Sequence, residues 1–195
     1  LLNCQGLVLD FFEAFLAPLE MELKKQSSHT LGKAHGMQDT TSYDSRIDAT
    51  NFAMEADDGH TTRHYDQADI ILTGVSRSGK TPTCLYLALQ YGIFAANYPL
   101  TEEDLETGRL PDTLRPYKEK LYGLTIAPVR LRQIRLERRS VGRYASAQQV
   151  SYELRAAEAL YKRHNIPFID TTNSSIEEIA STILNDTGVE RRVRP

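Results

Sequence analysis

Residues 68–83 read ADIILTGVSRSGKTPT, and this stretch decides the fold of the chain. Residues 68–73 are mostly apolar and β-branched at consecutive positions, which is typical of a strand buried on both faces of a parallel sheet. A turn bounded by glycines follows, and Pro82 stands where the first turn of a helix tolerates proline. The pattern predicts a strand, a tight turn, and a helix over residues 83–91 that ends at Gly92.

The turn at residues 74–81, GVSRSGKT, fits G-x-x-x-x-G-K-[ST] at every fixed position. Its two glycines let backbone N–H groups turn inward around a phosphate without a Cβ in the way. The following helix points its positive end at the same place. In this pattern Lys80 reaches the terminal phosphates and the Thr81 hydroxyl ligates Mg²⁺, so both are candidate catalytic residues. The predicted nucleotide-binding residues are Gly74, Val75, Ser76, Arg77, Ser78, Gly79, Lys80 and Thr81.

Strands and helices alternate along the rest of the chain. Apolar runs predict strands at residues 93–96, 121–126 and 166–170. One helix is predicted to begin near Thr101, and another runs from Pro128 to about Ser140. A capping box over Ser146 and Gln149 predicts a helix that ends at His164. A cap over Ser174 and Glu177 predicts a last helix that ends at about Gly188. Such alternation implies a parallel sheet with helices on both faces. We therefore predict an α/β fold, a P-loop kinase-like parallel sheet preceded by an N-terminal helical and loop arm.

The segment before the first strand has a different character. Apolar residues recur at helical spacing from Val8 to Leu23, and this stripe predicts an amphipathic helix that docks on the core, with a kink or break at Pro18. Residues 26–67 are polar, with a short helix around residues 47–56. We interpret residues 1–66 as an arm that ends a longer N-terminal region, and residues 67–195 as the nucleotide-binding domain.

Composition excludes several functional classes. Of 195 residues, 41% are hydrophobic and 25% are charged, as in an ordinary soluble globular protein. The net charge of −3 argues against a general nucleic-acid binder, and no apolar run is long enough to span a bilayer. The two cysteines, Cys4 and Cys84, form no CxxC pair, which favours a reducing, cytoplasmic location over a disulfide framework.

Three acidic residues are candidates for chemistry. Asp57 or Asp58, in the polar segment before the first strand, could act as general base toward a substrate hydroxyl, or both could belong to a solvated turn before Gly59. Asp170, at the end of the last predicted strand, could lie in a metal shell or cap the turn that follows.

Histidines and arginines leave further alternatives open. His60 and His64 have a spacing that a zinc site could use, but no cysteine pair accompanies them, and His35 is a candidate for contact with nucleotide or substrate. Arginine side chains bind phosphate oxygens bidentately, so an arginine-rich segment predicts a lid over the nucleotide, a dock for an acidic partner, or a solvated charged face. Its members are Arg130, Arg132, Arg135, Arg138, Arg139 and Arg143.

Several stretches together resemble a known family. They are DDG at residues 57–59, residues 68–83, LYLA at 85–88, AANYP at 95–99, LYGLTI at 121–126 and RYA at 143–145. From about His35 to the end, the chain is similar to the phosphoenolpyruvate synthase (pyruvate, water dikinase) regulatory proteins. Gly79 before Lys80, and Tyr98 before Pro99, favour this branch over a sister group that acts on pyruvate, phosphate dikinase. The family carries a further N-terminal segment, so we expect residues preceding Leu1.

The resemblance implies an activity. Such proteins use ADP to phosphorylate a threonine beside the catalytic histidine of the dikinase, which inactivates it and leaves AMP. They reverse the modification with inorganic phosphate and release pyrophosphate. Carried onto this sequence, residues 74–81 hold ADP with Mg²⁺, and Lys80 lies against the β-phosphate. The implied partners are phosphoenolpyruvate synthase and the adenine nucleotide, without nucleic acid or membrane, and self-association into a homo-oligomer is left open.

Two other functions agree with the same motif. One is an ATP-dependent kinase of a small metabolite, which the loop and an arginine-rich lid would serve equally well. The other is a non-catalytic nucleotide sensor that binds a partner protein. Only the family resemblance favours ADP as the phosphoryl donor.

Overall fold

The structure is a computed structural model that describes residues 13–26, 40–57, 64–138 and 142–193. Two compact units are present, residues 1–38 and residues 39–195. The strands are β1 (Ile70–Gly74), β2 (Ala95–Pro99), β3 (Leu121–Thr125) and β4 (Phe168–Asp170). The helices are α1 (Glu13–Leu23), α2 (Thr40–Glu55), α3 (Lys80–Tyr91), α4 (Glu102–Thr107), α5 (Pro128–Arg138), α6 (Ala147–His164) and α7 (Ile176–Thr187), with short 3-10 helices at Arg115–Lys120 and Arg143–Ala145.

The four strands form one sheet in the order β2-β1-β3-β4, and every pair is parallel. Side chains that alternate along β1 enter two different cores. Ile70 and Leu72 pack in a cluster with α3 and α7, whereas Ile71 packs in a cluster with α6. Helices therefore cover both faces, which confirms the predicted α/β class and a P-loop-like kinase fold.

Helix α2 packs against α3 and belongs to the same compact unit as the sheet. The Phe52 ring stacks on Phe94 with centroids 4.9 Å apart, and Ala53 is buried. The sequence predicts this helix only over residues 47–56, within the N-terminal arm. The helix instead begins at Thr40, although its buried residues, Ala49, Phe52 and Ala53, all lie in the predicted part.

Helix α1 lies in the other compact unit and differs from the prediction in two respects. Pro18 lies inside the helix, so no break occurs near Ala17. Phe15, Leu19 and Leu23 are exposed, so their stripe is not part of a buried core. The part of the predicted stripe before Glu13 lies outside the described residues.

Three strands begin two residues later than the sequence predicts. The predicted strand at residues 93–96 is instead Ala95–Pro99, because the Asp69 carboxylate accepts the Phe94 N–H at 2.8 Å and replaces a ladder bond there. Pro99 is tolerated because β2 is an edge strand. β1 begins at Ile70 and β4 at Phe168, each two residues later than predicted.

The helix caps agree in part with the predictions. The Ser146 hydroxyl accepts the Gln149 N–H as expected, but the Gln149 side chain donates to Glu153 and does not close the box. The last helix is capped one residue later than predicted, by Ser175 and Glu178 in a complete capping box. Among the described residues, none of the helices has the length and apolar character needed to cross a membrane.

Candidate functional site

The loop at residues 74–81, here called the phosphate loop, follows β1, which pairs with β2 on one side and β3 on the other. The chain leaves β1 toward β2 and then crosses back to β3, so the strand order reverses at β1. In open parallel sheets, ligands bind outside the carboxyl ends of the strands at such a reversal. The fold therefore places the loop at the expected binding position.

Steric constraints explain the glycines of the phosphate loop. A Cβ at Gly74 would lie 2.7 Å from both the Leu124 carbonyl oxygen and the Ser78 Oγ, so no larger residue fits there. Gly79 has φ +98° and opens α3. Arg77 also lies in the left-handed region, with φ +74°. The loop thus turns sharply, and its backbone reaches the start of α3 in only a few residues.

The side chain of Lys80 folds back against the backbone of this loop. Its side chain is buried, and its ammonium group donates to the Val75 carbonyl at 3.0 Å. That carbonyl also accepts the Ser78 N–H at 3.3 Å. A buried ammonium group in contact with the loop backbone supplies positive charge where an anion would bind.

Asp57, which follows the end of α2 by two residues, is brought to the phosphate loop. Its Oδ1 accepts the Thr81 hydroxyl at 2.9 Å and also accepts from the Asn97 amide. The same amide lies 3.2 Å from the Thr81 Oγ1. Hydroxyl and carboxylate oxygens are the ligands that Mg²⁺ prefers, so this cluster can hold a hydrated Mg²⁺ beside the loop.

Asn97 is itself fixed by the backbone around it. Its N–H donates to Ala56 at 3.3 Å, and its carbonyl accepts the buried Tyr65 hydroxyl at 3.0 Å. Asn97 was not among the predicted site residues, although it belongs to the AANYP stretch. Asn97 is the middle residue of β2, the neighbour of β1, and it directly follows the strand predicted at residues 93–96; that position was the signal that could have found it.

A cavity of about 630 Å³ opens beside this cluster and is here called the Asp57 cavity. Its size falls within the range usual for small-molecule sites. Its lining combines loop residues with the Asp57 cluster. The lining residues are Asp57, Ser76, Arg77, Gly79, Lys80, Thr81, Pro82, Pro99 and Ile134.

Arg135 anchors the outer side of the loop. Its side chain is fully buried, and it donates to the Ser76 carbonyl at 3.2 Å and the Tyr144 carbonyl at 2.9 Å. It also pairs with Glu153 at 2.6 Å and lies over the Tyr144 ring at 4.2 Å. The Tyr144 and Ser76 hydroxyl oxygens are 2.9 Å apart. The guanidinium group of Arg135, on α5, therefore contacts the phosphate loop, α6 and the RYA stretch.

The other predicted arginines do not share this environment. Arg132 is exposed, so it does not form one face with Arg135. Arg143 is exposed and pairs with Glu102, and Arg130 lines a second cavity described below. The Arg138 side chain and Arg139 lie outside what the structure describes. The interpretation of this segment as a solvated charged face fails at Arg135, whose side chain is buried in the interior of the protein.

Asp170 is the last residue of β4 and precedes a turn. Its Oδ1 accepts the Thr172 N–H at 2.8 Å and also the Thr172 hydroxyl, so it caps this turn, as one of the two sequence interpretations held. Thr171, the next residue, contacts the phosphate loop. Its hydroxyl donates to the Ser78 carbonyl at 3.2 Å and so links the loop to the end of β4.

Three predicted residues lie outside the described residues: Asp58, His35 and His60. His64 is described and is half-buried near the start of the segment that leads to β1. Within the described ranges, no group of three His, Cys, Asp or Glu side chains is placed to hold a metal ion.

Cys84, on the first turns of α3, is completely buried. Burial raises the pKa of its thiol above the ordinary value, and the nearby Asp57 carboxylate acts in the same direction. Its Sγ donates to the Ala96 carbonyl at 3.4 Å. The thiol is therefore a packing group beneath the site and not a nucleophile.

Comparison with known proteins identifies relatives over nearly the whole chain. The sequence model of the kinase/pyrophosphorylase family matches residues 2–184. A protein of Alcanivorax borkumensis, whose name describes it as a phosphoenolpyruvate synthase regulatory protein, is 57% identical over 98% of this chain and 71% of its own length. A protein of Marinobacter nauticus with the same name is 57% identical over 97% of this chain and 70% of its own.

A Legionella pneumophila protein of that name is 58% identical over 95% of this chain and 69% of its own length. Identity at this level over most of both chains fixes the family and agrees with the loop geometry. This chain therefore belongs to the kinase/pyrophosphorylase family.

Proposed function

We propose that this chain regulates phosphoenolpyruvate synthase by ADP-dependent phosphorylation of a threonine on that enzyme, and by phosphate-dependent removal of the same group. The observation that carries the proposal is the cluster of Lys80, Thr81 and Asp57 at one end of the phosphate loop. The names of the relatives support the identity of the protein substrate.

In the forward reaction, the threonine hydroxyl oxygen attacks the β-phosphorus of ADP. The bond between that phosphorus and the bridging oxygen breaks, and AMP leaves with the electron pair. The backbone N–H groups of the phosphate loop bind the diphosphate, and Lys80 neutralises charge that develops on it. The threonine proton passes to a carboxylate.

In the reverse reaction, an oxygen of inorganic phosphate attacks the phosphorus of phosphothreonine. The bond between that phosphorus and the threonine oxygen breaks, pyrophosphate forms, and the threonine oxygen, which leaves with the electron pair, takes up a proton. The Asp57 cavity of about 630 Å³ has room for a phosphate beside the loop and for an extended side chain of the substrate. One site can therefore serve both directions.

Asp57 and Asp58 have separate roles in this proposal. Asp57 contacts the Thr81 hydroxyl, which favours a role in holding Mg²⁺ together with Thr81. When bound, Mg²⁺ offsets negative charge on the phosphate oxygens. The general base is then Asp58, the next residue in the chain, with Asp57 as the alternative.

The test incubates the chain with phosphoenolpyruvate synthase, Mg²⁺ and either ADP or ATP, and maps phosphate on the synthase by mass spectrometry. The proposal expects a phosphothreonine at the active site with ADP and not with ATP. Addition of inorganic phosphate should then remove it and release pyrophosphate. Transfer only with ATP would identify a different kinase, and ADP binding without any transfer would indicate a nucleotide sensor.

A further inference from the structure

A second cavity, of about 340 Å³, borders the phosphate loop on the side of β3 and β4. Its wall includes four isoleucines, Ile126, Ile134, Ile176 and Ile179. It is here called the isoleucine cavity. Arg130 and Ser174 also line it. Its volume lies within the range of small-ligand sites, and an apolar wall with a few polar groups is the usual lining of such a site.

The two cavities meet at the loop but differ in chemistry. Both include Arg77, Gly79, Pro82 and Ile134. Lys80, Thr81 and Asp57 line only the Asp57 cavity, and Thr171 and Ser174 line only the isoleucine cavity. A ligand that crosses the loop would therefore have one end among charged groups and the other among aliphatic side chains.

A nucleoside diphosphate has the same two ends. The phosphate that is transferred has to lie at Lys80 and Thr81, because those residues stabilise its charge. The nucleoside is bonded to the other end of the diphosphate and has to lie away from them. A planar, weakly polar base gains free energy when aliphatic side chains remove it from water, and a guanidinium group can stack on its face.

We infer that the isoleucine cavity binds the nucleoside of the diphosphate, with the base against Ile176 and its neighbours and with Arg130 at the rim. This inference rests on the proposed ADP site and assigns the part of the ligand that the sequence motif leaves unassigned. The hydrogen bond from the Thr171 hydroxyl to the Ser78 carbonyl links the wall of the isoleucine cavity to the phosphate loop. The nucleoside and the diphosphate therefore contact parts of the protein that are directly hydrogen-bonded to each other.

The test separates the nucleoside from the phosphates. Ile176→Asn keeps the number of side-chain heavy atoms but replaces apolar groups by a polar amide at the half-buried first residue of α7. We expect the dissociation constant of ADP to rise about tenfold and that of pyrophosphate to change less than about twofold, measured by calorimetry. Val129→Asn, at a position that is 72% exposed on α5 and outside both cavities, is the matched control and should leave both constants unchanged.

A second measurement needs no variant. The unaltered chain is photolabelled with 8-azido-ADP, and the labelled peptide is mapped by mass spectrometry. Label within residues 126–134 or 171–179 supports the inference. Label in a segment that does not line the isoleucine cavity overturns it, and so does an equal loss of ADP and pyrophosphate affinity in Ile176→Asn. If the unaltered chain binds neither ADP nor pyrophosphate, the proposed function itself fails.

Discussion

The Thr81 hydroxyl lies 2.9 Å from Oδ1 of Asp57, although the two residues are 24 positions apart and on opposite sides of β1 in the sequence. This contact joins the chain just after α2 to the start of α3, directly beside the phosphate loop. It unites the residue expected to ligate Mg²⁺ with one of the two candidate bases.

Asp57→Asn should lower the rate of phosphoryl transfer by about a hundredfold or more, because a neutral amide binds Mg²⁺ more weakly than a carboxylate and cannot accept the threonine proton. The variant keeps the size of the side chain. The measurement is the transfer rate at saturating ADP across a titration of Mg²⁺. Asp66→Asn, an exposed position in the same part of the chain, is the control. An unchanged rate and Mg²⁺ dependence would exclude Asp57 from both roles.

Lys80→Ala should weaken ADP binding about ten- to a hundredfold, since a charge-assisted contact contributes roughly 1.5–3 kcal/mol. Transfer should fall further than binding, because the lysine stabilises charge that develops in the transition state. Calorimetric titration gives the affinity, and Lys162→Ala on the exposed side of α6 serves for comparison. ADP affinity equal to that of the unaltered chain would refute the assignment.

Arg135→Met should reduce the free energy of unfolding by about 3–5 kcal/mol, because it leaves the largely buried Glu153 carboxylate without its partner. Urea denaturation measures the loss. Adding Glu153→Leu should recover part of it, since two apolar side chains then replace the ion pair. Arg132→Met, at an exposed position on the same helix, should stay within about 0.5 kcal/mol of the unaltered chain. A similar small effect at Arg135 would contradict the anchoring role.

Gly74→Ala should lower both stability and ADP affinity. Its Cβ would lie 2.7 Å from the Leu124 carbonyl oxygen and the Ser78 Oγ, and the backbone shift that relieves this costs about 1–3 kcal/mol. Gly188→Ala provides the comparison, because φ is +67° there but no atom lies within 4 Å of the new Cβ. That variant should lose stability and keep its ADP affinity. If both variants bind ADP alike, the close approach at Gly74 does not shape the loop.

Cys84 should react with thiol reagents at least about a thousandfold more slowly in the native chain than in denaturant. Burial raises the pKa of this thiol and keeps reagents from it, so the reaction requires opening of the core. Peptide mapping after timed alkylation gives the rate at Cys84 separately from Cys4. Rapid labelling in the native state would show that α3 opens readily.

The sequence alone determined the strand, loop and helix around residues 74–81, because glycine spacing and a consecutive apolar run are local signals with a direct steric cause. It also predicted the parallel sheet, since the same alternation recurs along the chain. The sequence predicted the ends of strands less accurately. The Phe94 N–H donates to the Asp69 carboxylate in place of a hydrogen bond between strands, and the pattern of apolar residues does not indicate such a contact.

Only the tertiary structure decided the surroundings of the loop. Asn97 and Asp57 meet across 40 positions, and the Arg135 guanidinium reaches Ser76 across 59. Arg135 resembles the other, solvated arginines in the sequence, yet it is buried, with two carbonyls and Glu153 accepting from its two terminal nitrogens. Helical periodicity indicates on which face of a helix a side chain lies. It does not indicate which residues from distant parts of the sequence pack against that face, so these contacts could be identified only in the tertiary structure.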